Sequence, residues 1–506
     1  MAADPDLVRK APDTWQNLHG TVSVPLKARL TILNKAKGKS TLDGMRDTAG
    51  RLQAIVRDAV AQKVRLRPVG SRWSFSEVAA GKDGWALETD NLDMSFAVAP
   101  ASLDPASREQ PDALILAQCG RTISKINQAL ETPARDRALR TSGASNGQTV
   151  AGMIGTGTHG SAIDVGAIES QVAGIQLLTG SRNLWIEHPD APVMNAAFAA
   201  RLGAEPRRDA LLFRAALVNL GALGLVHAVL LRAVPRYLLL SSLKRMKAAE
   251  VAKAMSSLDF AATPLPDPAR RPYFFMATVV PSDPGTAYVT VRYKEPCPAD
   301  YLPDYTLKSR YEPGNDLPAV AGKLLDVAPA LRPALTPLMI KAELAEFSGR
   351  LGTPGETYNH TNSKAGVAGS ATAVPVARVA DALAAARAVF EADKGAPIAC
   401  ACRYTRKSPA LLGFTCFEPT CVIDFDGVDT KATRRVIAAF RDRLDAESIP
   451  FAQHWGKIHS LTRARVRNSF GAAVDDWTRV RHALMPDKAE RDAFSTPLLD
   501  SIGLND

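Results

Sequence analysis

The chain has 506 residues, 46% apolar, 23% charged and 6% aromatic, a globular composition with enough length to bury large cores. Disorder and a disulfide-stapled mini-protein are thereby excluded, and the length predicts two or three domains. Lys+Arg 62 against Asp+Glu 52 leave a net charge of +10. This excess is not gathered in a block, which argues against nucleic-acid binding and suits an acidic cofactor or partner.

The N-terminus, MAADPDLVRKAPDTW, lacks the apolar run of a signal peptide. The longest apolar stretch, residues 217–231, is interrupted by Asn219 and His227 and is too short to span a bilayer. A cytoplasmic protein without a membrane span is the expectation.

In chain order, residues 42–63 place apolar side chains at helical spacing, followed by a short strand over 64–67 and the turn PVGSRWS over 68–74. A strand-like segment over 112–120 precedes a helix over 122–131. From Thr149 the sequence becomes glycine-rich, TVAGMIGTGTHGSA, and its opening reads as a strand. Residues 172–187 alternate around a Gly-Ser pair as a β-hairpin, and 213–235 read as a helix, a glycine break and a β-rich run closed by Pro235.

Beyond 237 the character changes. Residues 272–296 form two strand runs joined by Ser-Asp-Pro-Gly, and 302–350 are proline-rich and partly helical. An amphipathic helix over 377–395 stops at a glycine, strands occupy 398–425, and a helix spans 430–447. A basic, aromatic segment ends the chain. The expected units are 1–236, 237–450 and 451–506.

Of the six cysteines (Cys119, Cys297, Cys400, Cys402, Cys416, Cys421), four form C-x-C and C-x4-C spacings that match no common zinc or iron–sulfur template. Small buried residues on apolar strands are the favoured reading, and no metal is expected.

GTGTHG at 155–160 formally matches G-x-G-x-x-G. A dinucleotide-binding turn must open a helix whose N-terminus holds the pyrophosphate. The following SAIDVGAIESQ is β-branched, carries an internal glycine and runs into a hairpin, so that reading is set aside. A loop whose bare backbone lets N–H groups approach an anion fits better. PVGSRWS is a second such loop, and the two suggest a pyrophosphate held between them. Tight turns without a ligand remain the alternative.

Four motifs in order, VRLRPVGSRWSFS, TSGASNGQTVAGMIGTGTHGS, VNLGALGLVHAVLLRAVP and HWGKIH, resemble those of the aldonolactone/alditol oxidase group. That group belongs to the vanillyl-alcohol-oxidase-type (PCMH-type) FAD flavoproteins. The resemblance covers about 40–236 and 451–460, while 237–450 is only loosely similar. It implies an α+β protein: a PCMH-type FAD-binding domain of two α/β subdomains plus an α/β substrate, or cap, domain. On this resemblance Pro68, Val69, Gly70, Ser71, Arg72, Trp73 and Ser74 wrap the pyrophosphate and flavin. Met153, Thr158, Ser161, Val165, Gly166, Ala167 and Ile168 continue along the cofactor, and Val226 meets the adenine end through its backbone. His454 lies at the flavin and Lys457 at the flavin–substrate junction. The implied activity is oxidation of a CH–OH group of a small alcohol or lactone by hydride transfer to flavin N5, with dioxygen as acceptor. A dehydrogenase using a quinone or protein acceptor, and a flavin-binding protein without oxidase activity, are the alternatives.

Three departures from the family pattern matter. Trp73 stands where members with covalent FAD carry a histidine, so non-covalent FAD is expected. Met153 replaces a serine of the alditol-oxidase branch. In ACACRYTR, Arg403 takes the place of the arginine of a Glu-x-Arg pair, and Ala401 that of its glutamate. Losing a hydroxyl and a carboxylate points to a substrate less polar than a polyol. Lys457 and Arg403 are the candidates for stabilising the negative charge that develops at flavin N1 and C2=O. His360 is a weaker candidate for proton acceptor, and a solvated turn histidine is the favoured reading. The cluster RARVRNSF with Arg479 and Arg481 reads as a solvated face or, less readily, a site for a substrate carboxylate or phosphate.

Overall fold

The computed structural model describes residues 7–10, 12–34, 41–280, 283–306, 323–331, 334–335, 344–361, 365–393 and 396–506. The helix Thr41–Ala61 turns Met45, Ala49, Leu52, Val56 and Ala59 inward at helical spacing, each fully buried. Its chain reverses through Lys63 (φ 53°) into the strand Leu66–Val69, two residues beyond the expected start. That strand pairs in parallel with Gly84–Glu88, which pairs in parallel with Ser23–Ile32; Leu7–Lys10 and Asp13–Gln16 complete a five-stranded sheet.

A second, six-stranded sheet contains the expected hairpin, Val172–Leu178 with Asn183–Glu187. Leu225–Arg232 lies between Val172–Leu178 and Leu114–Gln118. The helix Ala210–Leu217 and its glycine break precede Leu225–Arg232, as read from the sequence. One core runs through both sheets, from Leu30, Leu66 and Trp85 to Leu177 and Val229.

Tyr237–Lys247 opens the third sheet, eight antiparallel strands ordered Phe347–Gly352, Tyr237–Lys247, Asp283–Pro296, Phe274–Val280, Ile398–Thr405, Thr420–Val428, Val367–Pro375 and Ala452–Gln453. The helices Ala248–Ser257, Val379–Ala392 and Lys431–Ala446 cover one face, packing Val251, Val379, Val436 and Phe440 on Phe275, Ile398 and Phe425. Cys400, Cys402 and Cys421 are buried in that same core, and all six cysteines are free. The architecture is α+β, with the antiparallel sheet's other face left to look toward the first domain.

After Ala452–Gln453 the chain returns to the first domain, where Trp477, Leu484 and Phe494 join its core. The basic cluster here is occupied within the protein. Arg463 pairs with Asp506, Arg465 with Asp442 and Asp445, Arg467 with Asp475 and Arg479 with Asp476. Arg481 is fully buried and donates to the carbonyls of Ala222, Leu504 and Arg491. Its role is to tie the C-terminal helices down, and the cluster offers no ready anion site.

One local expectation is corrected. The opening of the glycine-rich stretch is the helix Val150–Thr156, not a strand. Val150, Met153 and Ile154 are buried, and tertiary packing outweighs the weak helix propensity of this Val/Ile/Gly sequence. Gly157, at φ 72°, caps it by donating to Ile154 and Met153, so the glycine run closes a helix instead of opening one. Of the expected Ser-Asp-Pro-Gly turn, Asp283–Gly285 already belong to a strand, while 281–282, like the glycine stop at 395, lie outside the described residues. Among the described residues no helix is long and apolar enough to cross a membrane, and no group of three or more His, Cys, Asp or Glu could hold a metal.

Candidate active site

The strand Leu66–Val69 delivers the loop 68–74 to the edge of a cleft of about 340 Å³ between the first domain and the third sheet. Pro68, Val69, Gly70, Ser71, Arg72, Trp73 and Ser74 line it, together with Met153, Thr158, Val226, Arg403, His454 and Lys457. The loop's carbonyls are consumed on its outer side. Leu18 N donates to Arg72 O at 2.8 Å and Asn17 Nδ2 to Ser74 O at 3.0 Å, while His19 Nε2 lies 3.3 Å from Trp73 O. The N–H groups of Ser71, Arg72, Trp73 and Ser74 have no acceptor among the described residues. Arg72 adopts the left-handed region at φ 61°, which turns successive N–H groups to one side as an anion-binding concavity.

The two glycine loops touch. Thr149 N donates to Ser71 Oγ at 3.2 Å, and a Cβ on Gly70 would lie 2.2 Å from Thr149 Oγ1, so only glycine allows this approach. A bulge at His227 interrupts the ladder beside Val226, which faces the cleft. His227 itself is held in the core, its Nδ1 3.1 Å from Gln176 Oε1. The unpaired nest and the glycine-permitted closure fit an extended dinucleotide with its pyrophosphate at 68–74.

Ser161, Val165, Gly166, Ala167 and Ile168 are not part of the lining. Ser161 Oγ donates to Phe275 O and accepts from Tyr404 N at 2.8 Å. Val165 O accepts from Thr405 Oγ1 at 2.7 Å and Arg406 N at 3.1 Å, and Ile168 N donates to Thr158 O at 3.0 Å. This stretch stitches the glycine-rich loop to the cap strands. Trp73 packs edge-on against His19 and His360, at 5.8 and 6.0 Å, and its ring fills the space beside Gly147.

HWGK sits in a turn pinned from both domains. Gly456 O accepts from Phe75 N at 2.8 Å, Trp455 O from Ser76 Oγ at 2.6 Å, and His454 N donates to Ala371 O at 3.1 Å. Trp455 is fully buried, its indole N–H bound to Leu412 O at 2.8 Å. Lys457 is thereby fixed relative to the 68–74 loop.

Around Lys457 the structure assembles charges that the sequence reading did not foresee. In the register of Ile398–Thr405 with Thr420–Val428, Ala401 faces Asp424 and Ala399 faces Asp426. The carboxylate missing at 401 therefore returns from the adjacent strand. Arg403 Nε lies 3.0 Å from Asp424 Oδ2, and Lys457 Nζ lies 3.2 Å from both Asp424 Oδ1 and Asp426 Oδ1. Burial pulls the Lys457 pKa down, but Asp424 and Asp426 outweigh it and hold it above the ordinary lysine value. The D-F-D alternation of CVIDFDGV was the available signal. It puts Asp424 and Asp426 on one face and Cys421, Ile423 and Phe425 on the core face.

Two histidines join this end, and only His454 was expected. His159 Nδ1 lies 3.0 Å from Gly160 O; a carbonyl only accepts, so Nδ1 carries the proton and Nε2 does not. His454 is the reverse tautomer, its Nδ1 accepting from Gly456 N at 2.9 Å. Burial, then Arg403 and Lys457, push His159 down to about 3; burial, then His159 and Lys457, put His454 well below the usual histidine range. Both rings are neutral at physiological pH.

Comparisons with known proteins agree with this cleft. Residues 47–183 match the family model described as FAD binding domain. Residues 47–183 thus carry an FAD-binding domain, and FAD is the cofactor. It is 30% identical over 186 residues to D-arabinono-1,4-lactone oxidase of Yarrowia lipolytica, covering 37% of this chain and 30% of that protein. It is 24% identical over 195 residues to L-gulonolactone oxidase of Mus musculus, covering 38% of each. The chain thus spans under a third of the arabinonolactone oxidase it matches. In fold, a histidine-to-alanine mutant of cholesterol oxidase from Brevibacterium sterolicum superposes with a TM-score of 0.70 at 13% identity, over 99% of this chain and 98% of that one. That likeness extends the shared fold through the cap domain.

Proposed function

We propose that the protein oxidises a CH–OH group of a small, neutral, hydroxylated molecule, a sugar lactone or related alcohol, and passes the electrons to dioxygen. The carrying observation is one cleft lined by both the 68–74 anion nest and the Lys457–Arg403 centre. Bound FAD supplies the hydride-accepting ring. The nest would hold its pyrophosphate, and Lys457 and Arg403 would stabilise negative charge on the reduced ring in a site largely removed from water. Asp424 and Asp426 balance these two cations, so the centre has little net charge to attract an anionic substrate and offers donors and acceptors to hydroxyls. Trp73 cannot form a histidyl–flavin bond, so the FAD is non-covalent and acid precipitation should leave a colourless pellet under a yellow supernatant.

The direct test is anaerobic mixing of the yellow protein with D-arabinono-1,4-lactone, L-gulonolactone and simple alcohols, then admission of air. Bleaching by one of them and rapid return of colour supports the proposal. Bleaching followed by slow reoxidation removes dioxygen as acceptor, and no bleaching across the set contradicts the assigned chemistry.

A further inference from the structure

We propose that Asp426 is the proton acceptor of the oxidation, an assignment that rests on the flavin-dependent reading above. Among the described residues it is the one carboxylate lining the cleft. Asp424 is fully buried beneath the wall, holding Arg403 and Lys457 together, and serves as a positioning residue. The other groups on the wall are poor acceptors. His159 and His454 are kept neutral by their surroundings, and a proton on His159 would face Arg403 and Lys457. Burial raises the Cys119 thiol to about 12. His19 and His360 pack against Trp73.

Asp426 is placed and left free for the task. Its Oδ1 is 3.2 Å from Lys457 Nζ, while Oδ2 stands 4.0 Å from Arg403 Nη2, beyond hydrogen-bond range. One oxygen is thus anchored and the other uncommitted. The strand register sets Gly369 opposite it, and a Cβ there would lie 2.9 Å from Asp426 Oδ1, so the bare glycine makes room for the carboxylate. The side chain is 44% exposed, enough to hand a proton on to water.

In the step, the substrate O–H bond breaks and its proton bonds to Asp426 Oδ2. The C–H electron pair would leave as hydride as C=O forms, bound oxidised FAD supplying the two-electron acceptor, and Asp426 would then release its proton to solvent.

The test uses the FAD-loaded protein with Asp426→Asn and Asp426→Glu, and two reagents that respond oppositely. Sulfite adds to oxidised flavin and is disfavoured by a nearby negative charge, whereas reduction by D-arabinono-1,4-lactone needs the base. With Asn, sulfite should bind roughly tenfold more tightly as the repelling charge is lost, while lactone reduction slows by about 10²–10⁴-fold. Glu should recover much of the reduction rate. Unchanged reduction in the Asn variant, or sulfite affinity that is unchanged or falls, overturns the assignment. A wild-type flavin that the lactone does not bleach instead counts against the substrate proposed above, and the sulfite contrast still decides whether Asp426 stands at the flavin.

Discussion

Gly70 shows how one missing side chain shapes the cleft. Any Cβ at this position would lie 2.2 Å from Thr149 Oγ1, far inside van der Waals contact, so the two glycine loops must separate to admit it. Gly70→Ala should therefore weaken FAD binding by at least about tenfold while leaving the remote cap-domain core intact, read by fluorescence titration of the apoprotein with FAD. Unaltered affinity would mean that loop closure is irrelevant to the cofactor. This residue and its neighbours through Ser74 were legible in the sequence, because a glycine loop after a strand has a local chemical signature. Asp426 was not, because its meaning depends on a strand pairing that brings it beside Lys457, 31 positions away.

At the scale of elements, the pairing of Ile398–Thr405 with Thr420–Val428 does the work that a Glu-x-Arg sequence does on one strand. Along its own strand Ala401 is a lost carboxylate, which by itself points to a less polar substrate. The cross-strand position of Asp424 removes the basis for that step, since the acidic group is present three-dimensionally. Asp424→Asn breaks a buried ionic centre and leaves Arg403 and Lys457 short of a partner, which should cost about 3–5 kcal/mol in denaturant-unfolding experiments. A loss below 1 kcal/mol would show that the pair is solvated and not structurally required. The helix Val150–Thr156 carries the complementary lesson. Its β-branched and glycine residues suggest a strand locally, and only the burial of Val150, Met153 and Ile154 reveals why a helix prevails. By contrast, Thr41–Ala61 was readable outright, because five buried positions repeat at helical spacing over 21 residues.

At the scale of the whole molecule, Glu169 joins the two domains. It sits in the turn Ile168–Gln171 and accepts from Ser408 Oγ of the cap domain at 2.6 Å. Burial raises it to about 7, against the opposing pull of the Ser408 hydrogen bond. The folded protein thus holds this proton more tightly than the unfolded chain. The resulting stability is fully present below pH 4.5, the ordinary glutamate value, and is lost as pH rises through about 7. Glu169→Gln mimics the protonated form, so it should melt close to wild type near pH 5 and be more stable at pH 8, by on the order of 3 kcal/mol. Equal melting at both pH values would show that Glu169 titrates normally. The α+β architecture was implied by the resemblance that motifs of the first domain carry, whereas the cap domain's sheet order, spread over weakly patterned segments, emerges only from long-range pairing.

On the function proposed above, Lys457 would stand at the reactive end of an FAD held by the 68–74 loop. Rapid anaerobic mixing of FAD-loaded wild type and Lys457→Met with D-arabinono-1,4-lactone tests it most directly. The flavin should bleach in wild type, and bleaching should slow by about 10²–10³-fold in the variant with FAD still bound. Equal bleaching rates in the two proteins would contradict it.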